Sequence, residues 1–137
     1  MLVCGVGHAP LPAVFVSRGL DVLATDQGAE SGDHWASTGE LMAGLSGLSR
    51  SHVVTDEELA AHVEIRNVDM NSVPADLGTF DVIWSSCAIE HLGSPEQGLN
   101  FVIDTCRLRA PGGSAVHTTE LERTERDTPA EEGRREV

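Results

Sequence analysis

The sequence predicts an α/β fold built on a parallel sheet, and three observations carry that expectation. Strand-like runs alternate with stretches of helical character along the chain, the pattern that generates βαβ units with right-handed crossovers. The first run, Leu2-Val3-Cys4, is short and wholly apolar, as a strand buried on both faces of a parallel sheet is. Helix starts are written at Thr55 and at Ser94, each ahead of a further strand-like run.

Taken in order, Leu2-Val3-Cys4 stops at Gly5-Val6-Gly7, where glycine allows a tight turn and close approach of a ligand. Ala9-Pro10-Leu11-Pro12 opens a helix, because the N–H groups of a first turn have no intrahelical partner and proline loses nothing there. Val14, Phe15 and Arg18 continue it, and Gly19 is placed to stop it. Leu20 to Asp26 reads as a second strand ending in an acid. Residues 27 to 50 are the least regular: Gly, Ser and Asp dominate up to Asp33, and Thr38 to Met42 opens a short helix with Leu41, Leu45 and Leu48 on one face. Thr55-Asp56-Glu57-Glu58 has the capping-box spacing, and its helix ends near Ala61 or His62. Val63 to Val68 alternates apolar and polar residues into Asp69, a third strand, and Pro74 to Gly78 is a turn. Phe80 to Ser86 is the fourth strand. From Ser94-Pro95-Glu96 a helix runs to Leu108, with Leu99, Val102, Ile103 and Cys106 expected to face the sheet. Pro111-Gly112-Gly113 then turns the chain into a fifth strand, Ser114 to Thr118.

A chain of 137 residues supports one domain with one core. Its net charge of −13 comes from 22 acids against nine arginines, with no lysine. Such a surface repels phosphate backbones and anionic leaflets, so neither nucleic acid nor membrane is an expected partner. No stretch approaches the roughly 18 apolar residues of a membrane span, and residues 1 to 15 lack the basic flank of a signal peptide. Cys4, Cys87 and Cys106 are widely spaced and form no CxxC pair. They read as buried, reduced thiols in a cytoplasmic protein. His8, His34, His52 and His62 show no metal-ligand spacing, and no metal is expected. The composition changes after Glu120: residues 121–137 hold four Arg, six acids and no aromatic. The expected division is therefore a domain over 1–120 and a charged, disordered tail over 121–137.

Asp26 lies 19 residues after Gly7 at the end of the next strand. A carboxylate there can accept both ribose hydroxyls of an adenosine, so the glycine turn and the acid together point to a nucleoside cofactor. The dinucleotide fingerprint wants a third glycine where this chain has Pro10, and the turn carries no Arg or Lys to meet a phosphate. The ligand expected is one without phosphate, which disfavours a nicotinamide-dependent oxidoreductase. Asp69-Met70, at the end of the third strand, can bond an adenine amino group and cover the ring face. Trp35 is a candidate to stack on adenine or to join the core. His117 and Glu120 end the fifth strand on the carboxyl side, where α/β sheets bind ligands.

These pieces resemble the class I S-adenosylmethionine (SAM) dependent methyltransferases over nearly all of residues 1–120. The matching segments are Val3-Cys4-Gly5-Val6-Gly7, Asp26, Val68-Asp69-Met70, Phe80-Asp81-Val82-Ile83-Trp84-Ser85-Ser86, Glu90-His91-Leu92 and Pro111-Gly112-Gly113. The resemblance implies a Rossmann-like parallel sheet of about five strands in the order 3-2-1-4-5, flanked by helices and incomplete at the strand-five edge. It implies SAM as cofactor, with the first turn on the methionine moiety, Asp26 on the ribose, Asp69 on the adenine, and the loop after strand four closing over the cofactor. The candidate cofactor-binding residues are Gly5, Gly7, Asp26, Gln27, Asp69, Met70 and Ser86. His91 is the candidate catalytic residue, a base for the acceptor proton, with Glu90 beside it. The expected activity is methyl transfer to a small-molecule or sugar-type acceptor, the alternative being a truncated, non-catalytic SAM-binding or protein-interaction module. This chain has Val3 where the family often has an acid, and Ala9 where it has a third glycine. The family also continues past strand five with a helix and an antiparallel hairpin, so the chain reads as a fragment or shortened form. Its exposed strand-five edge is then an expected surface for homo-oligomers.

Overall fold

The computed structural model describes residues 1–27 and 44–120. Among them, five strands form one sheet in the order β3-β2-β1-β4-β5, and every neighbouring pair is parallel. The strands are β1 (Leu2–Cys4), β2 (Val22–Asp26), β3 (Val63–Asn67), β4 (Phe80–Ser86) and β5 (Arg109–Thr118). The expected fold class and strand order are both observed. Leu41, His34, Trp35 and the whole of 121–137 lie outside the described residues.

Side-chain alternation along β1 builds two cores. Val3 points to one face with Val6, Ala13, Val16, Ala24 and Leu59, under α1 (Leu11–Val16), α2 (Leu45–Leu48) and α3 (Asp56–His62). Leu2 and Cys4 point to the other face with Leu23, Ile83, Phe101 and Leu108, under α4 (Pro95–Arg107). This two-sided burial is why β1 and β2 are apolar without alternation. It also pushes the Cys4 thiol up to about 12, because a thiolate there would be desolvated.

The helix starts expected at Thr55 and Ser94 are both observed, whereas the one expected over Thr38 to Met42 lies outside the described residues. Thr55 Oγ1 accepts from the Glu58 amide at 3.2 Å and Glu58 Oε2 accepts from the Thr55 amide at 3.1 Å, a closed capping box. Ser94 caps α4 through the Gln97 amide at 3.2 Å, with Pro95 in the first turn.

Three expectations are overturned. In α4, Gly98, Phe101 and Thr105 are buried against the sheet, whereas Leu99 is 60% and Ile103 45% exposed and Cys106 is also exposed. Cys87 is exposed as well, so of the three thiols only Cys4 is buried. The segment Pro111-Gly112-Gly113 is not a turn before β5 but a bulge inside it: Phe80 pairs with Arg109, and Val82 with Ser114. Gly113 is required at that bulge, since a Cβ would lie 2.7 Å from the Asp81 carbonyl oxygen.

Candidate functional site

The carboxyl ends of β1, β2, β3 and β4 open onto one cleft of about 390 Å³. Its floor is the turn after β1. Gly5 and Gly7 both take left-handed φ, +59° and +49°, and the Val6 amide donates to the Thr25 carbonyl at 3.1 Å. Glycine is needed at Gly5 for a second reason: a Cβ there would lie 2.8 Å from the Ala88 Cβ and 3.1 Å from the Met70 sulfur. The backbone is thereby packed beneath the two side chains that roof this end of the cleft.

Asp26 ends β2 and is 9% exposed. Its Oδ2 accepts from the Gly7 amide at 3.0 Å and its Oδ1 from the Gln27 amide at 2.9 Å. The carboxylate therefore ties the β1 turn to the end of β2. Asp69 follows β3, with Oδ1 accepting from the Asn71 amide at 2.8 Å, an Asx-turn that fixes the carboxylate at the rim. Met70 packs from the same segment toward Gly5.

The wall opposite comes from the loop after β4. Cys87 has a φ of +48°, and among the described residues it is the one non-glycine with positive φ. Its amide donates to the Thr118 carbonyl at 3.0 Å, and the Thr118 hydroxyl donates to Ser86 Oγ at 3.2 Å. A short 3-10 helix, Ile89–His91, then places His91 and Leu92 on the cleft. At the rim, Glu90 accepts from the Thr119 hydroxyl at 3.0 Å and the Glu120 amide at 3.3 Å. The carboxylates of Glu90 and Glu120 and the Cys87 sulfur lie within 4.8 Å of one another.

Of the residues singled out from sequence, Gly5, Gly7, Asp26, Gln27, Asp69, Met70 and His91 line this one cleft. Ser86 does not line it; its hydroxyl is engaged by Thr118, and the next residue, Cys87, takes the lining position. His117 is also away from the cleft, under α4 with its ring 5.5 Å from that of Phe101. Sequence reasoning missed His8, Asn71, Cys87, Ala88 and Leu92. Each is within two residues of a position it had singled out, so the strand-end loops were found and their inward residues were not.

No protein-family model and no curated protein sequence matches the chain. Solved structures do match. The glycopeptide N-methyltransferase MtfA, complexed with S-adenosylhomocysteine (SAH), superposes with a TM-score of 0.59 at 14% identity over 85% of this chain and 41% of its own. SAM-bound CalS10, an amino pentose methyltransferase from Micromonospora echinaspora involved in calicheamicin biosynthesis, gives 0.60 at 18% identity over 88% and 42%. An O-methyltransferase family protein from Burkholderia thailandensis gives 0.62 at 19% over 94% and 35%. The chain thus spans less than half the length of each of these structures. What it shares with them is the fold: the chain has the parallel five-strand order of the Rossmann-like fold of SAM-dependent methyltransferases.

Proposed function

We propose that this chain is the cofactor-binding part of a SAM-dependent methyltransferase acting on a small-molecule or sugar-type acceptor. One observation carries the reading. Asp26, nearly buried and aligned by two amides, stands beside a two-glycine turn in a cleft that also holds Asp69 and Met70. That combination suits a ligand with a ribose diol, an adenine amino group and no phosphate. The names of the matched structures, which include methyltransferases of a glycopeptide and an amino pentose, support the acceptor class. A cytoplasmic setting belongs to the same proposal, supported by three free cysteines and by the absence, among the described residues, of a helix long and apolar enough to cross a membrane.

Bound SAM supplies a methyl group already activated on a sulfonium, so the protein's work is alignment and, for some acceptors, proton removal. With SAM bound, Asp26 would accept the ribose hydroxyls, Asp69 would accept from the adenine amino group, and Met70 would cover a ring face. Gly5 and Gly7, lacking side chains, let the backbone approach the methionine end. His91 receives the acceptor proton, with Glu90 next to it in the 3-10 turn. Isothermal titration with SAM and SAH tests the reading: micromolar binding is expected, and no heat at millimolar ligand overturns it.

A second reading has its own support. The outer edge of β5 is unpaired among the described residues, and the chain spans less than half of the structures it matches. On this reading it is a SAM-binding module that associates through that edge with a second copy or another protein. SAM binding without transfer to any amine, hydroxyl or carbon acceptor in a broad panel favours it; turnover of one acceptor removes it.

A further inference from the structure

Beneath α4 lies a polar chain that the cleft does not use. Ser85 and Thr105 are fully buried, and His117 sits between them half-buried. Ser85 Oγ is 2.8 Å from His117 Nδ1, and Thr105 Oγ1 is 3.4 Å from His117 Nε2. The proton positions follow from the outer end of the chain. Thr105 Oγ1 lies 3.0 Å from the carbonyls of Phe101 and Val102, which can only accept, so its hydrogen is committed there. Nε2 must then carry the hydrogen that Thr105 accepts, leaving Nδ1 to accept from the Ser85 hydroxyl. In the neutral ring every polar atom of the three side chains is paired. A protonated ring would aim Nδ1–H at a buried hydroxyl whose own hydrogen has, among the described residues, no other side-chain partner.

The neighbours of this relay in sequence are the clamps of the cleft wall. Ser85 precedes Ser86 and Cys87, and His117 precedes Thr118, which holds both. The left-handed turn at Cys87 persists because that clamp over-determines it. We propose that neutral His117 is a positioning residue for the cleft: its relay to Ser85 and Thr105 locks the ends of β4 and β5, and its protonation releases the Cys87 turn. Burial lowers the His117 pKa and is the one cause of that shift, so no charged neighbour sets it. The groups packed on the ring, Ser85, Phe101 and Thr105, are uncharged. On the elements around it, Asp104 and Arg107 pair with one another on α4, where Glu96 and Cys106 are exposed, Arg109 donates to the Gly113 carbonyl, and Asp81 is exposed at the start of β4; beyond the ends of β4 and β5, Glu90 and Glu120 meet at the rim. The sign is fixed by the direction of the shift. The stabilisation is complete above the ordinary histidine value of about 6.5 and is lost as pH falls through the lower folded value.

The test uses the full chain and needs no ligand. NMR follows the His117 ring and the exchange of the Cys87 amide, corrected for intrinsic rate, on acidification. The expected result is a protection factor that falls about tenfold for each pH unit below about 6.5 and levels off once His117 is protonated in the folded chain. The fall should be absent in His117→Asn. Protection that stays constant from about pH 6.5 down to the His117 titration overturns the inference, and so does a His117→Asn profile equal to the wild type. A binding arm rests on the SAM reading: affinity for SAH should fall over the same pH range in the wild type and not in His117→Asn. Absence of SAH binding at every pH would remove the SAM reading and leave the amide arm to decide this one.

Discussion

The carboxylate of Asp26 accepts the Gly7 and Gln27 amides, so a substitution there acts on the turn as well as on a ligand. The two effects separate by design. Asp26→Asn keeps an oxygen for one amide, sets an NH2 against the other and loses the charge, so SAM binding should weaken by about 1.5–3 kcal/mol in calorimetry and urea denaturation should show a cost of about 1–3 kcal/mol for the one stranded amide. Asp26→Ala should show the same binding loss and a larger cost in urea denaturation, about 1–3 kcal/mol for each of the stranded Gly7 and Gln27 amides. If Asp26→Asn binds SAM as well as the wild type, the ribose assignment falls. Gly5→Ala tests the floor itself. A left-handed φ of +59° and a Cβ 2.8 Å from Ala88 should together destabilise the fold by about 2–5 kcal/mol. The residue types at these positions were readable in the sequence because strand-end chemistry is local. The positive φ of Cys87 was not, because it is imposed by Thr118, 31 residues away.

At the scale of elements, α4 shows where periodicity stops deciding. Leu99, Ile103 and Cys106 form one stripe of this helix, and Gly98, Phe101, Thr105 and Leu108 another. The first looks more apolar, yet the second faces the sheet. Gly98 lets the helix approach so closely that a Cβ would stand 2.6 Å from Ile89, and Thr105 is satisfied by its own helix and His117. Phe101, 1% exposed, fills the space thus made. Phe101→Ala should therefore cost about 3–5 kcal/mol in equilibrium denaturation. Leu99→Gln and Ile103→Gln should each stay within about 0.5 kcal/mol. The reverse ranking would restore the orientation expected from sequence. Capping, by contrast, was legible residue by residue, since its partners lie three positions apart; Thr55→Ala should cost about 1 kcal/mol by the same measurement.

For the molecule as a whole, charge and edge oppose one another. A chain of net charge −13 repels its copies, while the outer side of β5, unpaired among the described residues, offers backbone groups. If the edge is an association surface, sedimentation velocity should show a dimer that strengthens as salt rises from about 0.01 to 0.5 M, because screening removes the repulsion and leaves the strand contact. A monomer at every salt concentration would discard that surface. Among the described residues, the sequence by itself determined the succession of strands, the helix starts at Thr55 and Ser94 and the acids at strand ends, because capping, turn chemistry and burial on both faces leave their mark within a few residues. Only the tertiary structure decided which stripe of α4 is buried, that Pro111-Gly112-Gly113 is a bulge, and that His117 lies under a helix instead of in the cleft. Those outcomes depend on how closely elements distant in sequence can approach, and that is settled by the shapes of the surfaces that meet.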